Sequence, residues 1–364
     1  MTAAVALDST LCRLLFSEAL VSESAGILLR SRLQTVARRL GFPESRRQNM
    51  LLVASEMVTN LIKHAGAKGV VQIWQQPGNV LDLVSFDYGP GIHDPVSAQR
   101  DGFSTVGTLG KGLGSMQRLS DRFGIFSQPR TGSVHPWQGT LVWCRFEPEP
   151  LPPTLGQVGL FVRSLANDRH NGDHIYLELR PDRLRLFHLD GLGHGKDAAQ
   201  ATAHLDRYLA EAETLDGLVA RVDRHLRVTT RGAVGIACEL NARHQSLTML
   251  GVGDMSAHLC QEGEVQHFSF APGVLGREHK TPRPTEVAVG AGALLVSTSD
   301  GIRRGWDEKT FPGLCRQHPQ LIAYVLGNAM ARLTDDQSVC VLRMDDFSDR
   351  QGEAQWPKTP RKPA

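Results

Sequence analysis

The chain has 364 residues, 41% of them hydrophobic and 21% charged, and a formal net charge of +2. That length exceeds what one core usually spans, so two domains are expected, and the near balance of charge gives no electrostatic case for nucleic-acid binding. No apolar stretch is long enough to cross a membrane, and the opening "MTAAVALDSTLCRLLFSEAL" lacks the basic-then-apolar order of a secretion signal; a cytoplasmic location with no membrane partner is expected. The six cysteines are widely spaced with no CxxC or metal-ligand pattern, and read as reduced, mostly buried thiols. "FEPEPLPPT" (146–154) carries four prolines directly after an apolar run, which reads as a linker. The polar, proline-bearing end reads as a disordered tail. The expected division is 1–147, a linker at 148–154, a second domain at 155–345 and the tail at 346–364.

In the first domain, "NMLLVASEMVTNLIKHA" (49–65) has helical period, with Ala54, Met57, Val58, Leu61 and Ile62 as an apolar stripe. Glu56, Asn60 and Lys63 share another face, which is either the wet side of an amphipathic helix or a place where hard oxygen atoms hold Mg²⁺. Two strand-like runs follow, 70–74 and 80–86, joined by the turn signal "QQPGN". Asp87 ends the second and "YGPGI" follows it; a carboxylate there can accept from an exocyclic amine, beside glycines that let backbone lie close to a base. "GTLGKGLGSMQRL" (107–119) crowds glycines ahead of a helix, aiming free N–H groups at phosphates, yet it is neither a P-loop nor a Rossmann fingerprint.

The order Glu56-x-x-x-Asn60, hairpin, Asp87-x-Gly89-x-Gly91, Gly110-x-Gly112-x-Gly114, then Gly139-Thr140 resembles the Bergerat-fold (GHKL) ATPases over roughly residues 25–146. "SEMVTNLIKHAG" and "DGFSTVGTLGKGLGSMQRLSDRFGI" look most like the serine kinases of the anti-sigma-factor and switch-protein class. The resemblance implies ATP with Mg²⁺ as cofactor and a serine on a STAS-type antagonist protein as target. It implies Glu56 as catalytic residue orienting the attacking hydroxyl, Asn60 on Mg²⁺, Asp87 on adenine, Gly89 and Gly91 beside the base, and Gly110, Gly112 and Gly114 around the phosphates. Thr140 would support Asp87 through its hydroxyl. Lys111 either touches a phosphate or is a solvated surface lysine.

The second domain shows strand-like runs at 158–162, 174–179, 183–189, 233–240, 246–253, 293–298 and 338–344. Helices are expected at 196–211, 215–226 and about 319–332. Acids stand at the strand ends: Asp173, Asp190 before Gly191, Asp300, and the pair Asp335 and Asp336. Single aspartates there are ordinary turn chemistry, but several brought to one rim need cations, and oxygen-only ligands suit Mg²⁺ or Mn²⁺. "GD…DGLGHG…SDG…DD" resembles the protein phosphatase 2C family, in its bacterial stress and sporulation branch, over roughly 157–344. The resemblance implies two Mn²⁺ or Mg²⁺ ions held by Asp173, Asp190, Asp300 and Asp335 with the carbonyl of Gly191, Asp336 ranking lower. Arg163 and Arg169 are candidates, by position only, for holding the substrate phosphate. Asp254 reads as structural, His194 as a turn residue, and His170 and His174 as solvent-facing.

The resemblances together imply an α+β chain of two domains: a Bergerat-fold sandwich with a mixed sheet covered by helices, then an αββα sandwich of the protein phosphatase 2C type. Such a chain would phosphorylate and dephosphorylate STAS-type partners of a sigma-factor or signalling-complex pathway. Alternatively it is a phosphatase whose ATP-binding half serves only as adaptor or nucleotide sensor, or a protein in which neither half turns over.

Overall fold

The computed structural model describes residues 5–8, 12–19, 23–66, 68–95, 112–129, 136–148, 156–180, 182–229 and 231–344. Gly110, Lys111, most of the expected linker and the expected tail lie outside the described residues.

Strands β1 (Val5–Asp8) and β2 (Arg13–Ala19) precede helices α1 (Glu23–Arg39) and α2 (Glu44–Ala65). Then come β3 (Gly69–Gln76), β4 (Val80–Asp87), α3 (Gly112–Leu119), β5 (Arg122–Gln128) and β6 (Gly139–Phe146). The second half comprises β7 (Gly156–Arg163), β8 (Asp173–Leu179), β9 (Arg183–Gly191), α4 (Lys196–Thr202), α5 (Asp206–Glu211), α6 (Leu215–Leu226), β10 (Ala233–Asn241) and β11 (Ser246–Val252). It ends with β12 (Ser256–Gln261), β13 (Glu264–Phe268), β14 (Thr285–Ala288), β15 (Leu294–Thr298), α7 (Pro319–Ala329) and β16 (Gln337–Met344).

The N-terminal sheet has the order β2-β3-β4-β6-β5, and its described pairings are all antiparallel where a mixed sheet was expected. Its strands alternate with period two. Val71, Ile73, Leu81, Leu83, Val142 and Cys144 pack under α1 and α2, while Trp74, Val84, Phe86, Leu141 and Trp143 face the other way. Within α2 the expected stripe holds at Ala54, Met57 and Leu61, but Ile62 is exposed because the helix presents that side to solvent.

The second half stacks a sheet of order β1-β8-β9-β10-β11-β14 on one of order β13-β12-β15-β16-β7. Along β8, Ile175 and Leu177 enter the core between the sheets while Tyr176 turns out under the helices with Leu205, Leu209, Leu218 and Val222. Helix α7 covers the other sheet, giving the αββα order. β1 falls in the range expected for the first domain, yet it pairs with β8 and so extends the second domain's sheet. The expected helix over 196–211 is broken into α4 and α5, and β12, β13 and β14 went unread in the sequence.

In α7 every residue except Asn328 is buried. A helix apolar on all sides must be covered on all sides, and here two sheets do it: β7 and β16 on one side, the outward face of the N-terminal sheet on the other. One core therefore runs from Trp74, Val84 and Trp143 through Leu321, Tyr324 and Val325 to Phe161 and Val341. A polar seam crosses the same boundary. Asp82 on β4 accepts both Nε and Nη2 of Arg145 at 2.8 Å, and Tyr324 donates to it at 2.8 Å. Gln320 accepts from Arg145 and donates to the carbonyl of Leu160. Gln76 donates to Tyr324 and to the same carbonyl.

All six cysteines are free; four are buried, whereas Cys260 and Cys315 are only half-buried and stand 3.9 Å apart. No helix among the described residues is long and apolar enough to cross a membrane.

Candidate functional sites: a nucleotide cradle and an aspartate rim

Helix α2 carries Glu56 and Asn60 one turn apart, so both side chains leave the same face. That face meets the start of α3. A Cβ placed on Gly112 would lie 3.0 Å from Glu56 Oε2 and 3.6 Å from both side-chain polar atoms of Asn60. The acid, the amide and a helix N-terminus thus converge, which suits an anion with a cation beside it. Gly114 is buried in α3. Gly110 and Lys111, expected around the phosphates, lie outside the described residues.

The same helix reaches the base-reading turn at its other end. Asn60 and Ala65 are about 7.5 Å apart along the axis, and a Cβ on Gly89 would lie 3.1 Å from the Cα of Ala65. Asp87 closes β4, and its Oδ1 accepts the N–H of Gly89 at 2.8 Å and that of Thr140 at 3.1 Å. This ties Oδ1 down, and among the described residues no hydrogen bond engages Oδ2, which can accept from a ligand. Thr140 therefore supports Asp87 through its backbone, not through its hydroxyl as expected; the hydroxyl pairs with Ser127 Oγ at 3.0 Å. Gly139 is required here, since it has φ +146 and any Cβ would fall 2.0 Å from the Asp87 carbonyl. Gly91 packs on the backbone of Gln128 and Pro129. Burial raises the Asp87 pKa, opposed by its two backbone hydrogen bonds and by His64. The sequence reading missed Trp137, whose indole donates to the Asp87 carbonyl at 2.8 Å and stacks on Phe86.

In the second half, Asp173 opens β8 and Asp190 lies near the end of β9, and the two are register partners across that antiparallel pair. Like charges placed opposite each other destabilise a sheet. Asp300 follows β15, and Asp335 and Asp336 precede β16 in the other sheet, so the acids gather at one rim of the sandwich. Burial, then the fields of Asp173, Asp300 and Asp335, hold the Asp190 pKa well above the ordinary range. Asp173 is pushed up to about 7, by burial first and by Asp336 and Asp335 after it, against hydrogen bonds from Ser299 and Ser338. Asp300 is raised by burial and then by Asp335 and Asp254. Gly301 after it must be glycine, because a Cβ would sit 1.8 Å from the Asp336 carbonyl.

Asp336 differs from the others. Its Oδ1 accepts from Leu165 N at 2.7 Å and its Oδ2 from Gly172 N at 2.6 Å, so it fastens the 165–172 loop. Among the described residues no three acids, histidines or cysteines converge closely enough to hold a cation alone. The donor set nevertheless fits hydrated hard cations, which keep several waters and need only one or two carboxylates each: it is oxygen-only, and its acids are crowded enough to disfavour their own charges. The Gly191 carbonyl borders this set, with Gly172 packed against both it and Asp336 Oδ2.

Some residues fall elsewhere than expected. His174 is buried and shares a 2.8 Å hydrogen bond with Thr202. Arg163 directs Nε and Nη2 at Gln337 Oε1, at 2.8 and 2.6 Å. Behind the rim, Ser338 donates to Asp173 Oδ2 at 2.7 Å and pairs with His188 Nε2, while Ser297 meets the other ring nitrogen. Burial lowers the His188 pKa to about 3, so the ring is neutral. The sequence signal for this relay was polar residues inside otherwise apolar strands, "LFHLD" and "SVCVL".

A family model described as histidine kinase-like ATPase domain matches residues 23–135. The chain is 34% identical over 102 residues to the serine/threonine-protein kinase RsbT of Bacillus subtilis (strain 168), covering 28% of this chain and 77% of that protein. Among solved structures, a chain of the bacterial stressosome, described as a modular system adapted to control secondary messenger signalling, aligns at 24% identity and TM-score 0.48, over 52% of this chain and 99% of its own. The phosphatase domain and a regulatory-domain fragment of SpoIIE from Bacillus subtilis align at 16% identity and TM-score 0.43, over 88% of this chain and 94% of their own. Through its N-terminal half, with Glu56, Asn60, Asp87 and Gly112 set around one cradle, the chain belongs to the histidine kinase-like ATPase family.

Proposed function

We propose that the chain is a bifunctional bacterial switch. Its first half transfers the γ-phosphoryl group of ATP to a serine on a STAS-type antagonist protein, and its second half hydrolyses phosphoserine on such a protein. The observation that carries this reading is the meeting of Glu56 and Asn60 with the start of α3, within residues 23–135 that match the histidine kinase-like ATPase model. A cytoplasmic location belongs to the same reading.

In the first half, Glu56 orients the attacking serine hydroxyl and accepts its proton. Asp87 Oδ2 accepts from the adenine amine. The N–H groups opening α3 face the phosphates, and Asn60 would hold Mg²⁺, which neutralises phosphate charge when bound. Lys111 belongs either to this phosphate set or to the surface. In the second half, Asp173, Asp190, Asp300 and Asp335, with the Gly191 carbonyl, would hold two Mg²⁺ or Mn²⁺ ions. When bound, such a pair supplies charge neutralisation and an acidified water. Ser338 and neutral His188 keep the Asp173 carboxylate oriented, and Asp336 keeps the neighbouring loop in place.

A second reading draws on the shared core around α7: the ATP-binding half acts only as an adaptor that senses nucleotide and is fastened to a phosphatase. The two separate in an assay with γ-labelled ATP, Mg²⁺ and a STAS-domain protein. Transfer of label to serine, reduced by about 10²–10⁴-fold in Glu56→Ala with ATP binding kept, supports the kinase reading. ATP binding without transfer by Asp190→Ala protein, which cannot erase the label, supports the adaptor.

A further inference from the structure

A cavity of about 540 Å³ lies between the two halves and opens onto Asp173. One wall is the start of β2 from the ATP-binding half, with Arg13, Leu14 and Leu15; the opposite wall is α4, with Lys196 and Gln200. The 163–171 loop forms the floor and adds Arg163 and Arg169. The β2 wall is tied to the second half, since Cys12 Sγ donates to the Leu160 carbonyl on β7 and Gln76 donates to the same atom. Between Leu14 and Phe16 the β2–β3 register shifts, a bulge of the kind that re-aims neighbouring side chains.

Among the described residues that line this cleft, cations outnumber acids. Arg13, Arg163, Arg169 and Lys196 stand against Asp168 and Asp173, and Asp168 is engaged by the N–H and ring of His170. No Phe, Tyr or Trp is among the described lining residues, so nothing large and flat is present to stack a base. Leu14, Leu15 and Val162 supply apolar surface beside the cations. The volume is that of a site for a small ligand or a short chain segment, not for a folded domain.

We propose that this cleft seats an acidic, phosphoserine-bearing segment of a protein substrate, with Arg13 of the ATP-binding half serving as a specificity-determining residue for the phosphatase half. The inference rests on the phosphatase reading of the aspartate rim and deepens it: the two halves are fused because the first completes the substrate cleft of the second. Arg13 and Lys196 attract the flanking acids from opposite walls, and the phosphoseryl group is left pointing at Asp173 and its neighbours. Arg13 is exposed and lies outside the buried core.

The test uses the full chain with Ca²⁺ in place of Mg²⁺ or Mn²⁺, a hard cation suited to oxygen ligands, and a fluorescein-labelled peptide bearing one phosphoserine between aspartates and glutamates, read by fluorescence anisotropy. The wild type binds it more tightly than the unphosphorylated peptide. Arg13→Glu and Lys196→Glu each weaken binding by about tenfold or more at low salt, and Arg13→Lys restores most of it. Arg224→Glu, the same charge change on the exposed face of α6, keeps wild-type affinity. Affinity in Arg13→Glu within about twofold of wild type, or an equal loss in Arg224→Glu, overturns the cleft. In parallel, wild-type hydrolysis of p-nitrophenyl phosphate with Mn²⁺ tests the underlying reading. Hydrolysis with an indifferent Arg13 removes the cleft and keeps the phosphatase. Arg13-dependent peptide binding without hydrolysis removes the phosphatase and keeps a phosphopeptide reader.

Discussion

Asp87 and Asp190 both follow apolar strands and precede glycine turns, and their surroundings make them different devices. Asp87 faces backbone N–H groups and His64, with no second acid among the groups acting on it. It can stay ionised, with two backbone N–H groups on Oδ1. Asp190 faces Asp173, Asp300 and Asp335, so its charge is unfavourable until cations arrive. The Asp87 pKa is raised, and the ionised form is the stronger acceptor for an adenine amine. ATP affinity is therefore expected to be flat at high pH and to fall as pH drops through that raised pKa, because below it binding must first expel a proton. Titration calorimetry with wild type and Asp87→Asn checks this: the variant binds at least about tenfold more weakly and loses the acid-side fall. Equal pH dependence in both would point to another group. Behind the rim, Ser338→Ala leaves buried atoms of His188 and Asp173 unpaired and should cost about 1–3 kcal/mol in denaturant unfolding. Metal affinity should fall with it, since among the described residues Asp173 keeps only the hydrogen bond from Ser299.

The element on which the architecture turns is α7. Its polar seam is buried, and burial works against the Arg145 charge while Asp82 more than offsets it. Removing one partner strands the other, so Arg145→Met should cost about 3–5 kcal/mol, whereas Asp82→Leu with Arg145→Met should recover a large part of that loss. Chemical denaturation of the three proteins measures the coupling; a double variant as unstable as the single one contradicts it. α7 also shows where sequence reading stops. Its residues were legible as a helix, but periodicity reports which face is apolar and not what covers it. A helix apolar all round has no face to read. β12 and β13 were missed for a related reason: β13 is largely exposed and β12 mixes His, Cys and Gln into its pattern, so neither gives clean alternation. By contrast Glu56, Asn60 and Asp87 were legible because their spacing on a helix and at a strand end is local. The Ser338–His188 relay joins residues 150 positions apart, beyond any pattern in one segment.

At the scale of the whole molecule, the expected two domains share a core, and β1 crosses from the first half into the second half's sheet. Burial of Trp74, Trp143, Phe161 and Tyr324 in one cluster predicts that the halves melt together. Calorimetry should show one transition, with the calorimetric and van't Hoff enthalpies close; two separated peaks would mean that α7 does not weld the halves. The central claim is that one chain both writes and erases the same kind of mark. The most direct measurement incubates Asp190→Ala protein with a STAS-domain partner and γ-labelled ATP with Mg²⁺, then adds wild-type protein with Mn²⁺. The account predicts label appearing on a partner serine in the first stage and leaving as inorganic phosphate in the second. Label that never appears, or that wild-type protein cannot remove, contradicts it.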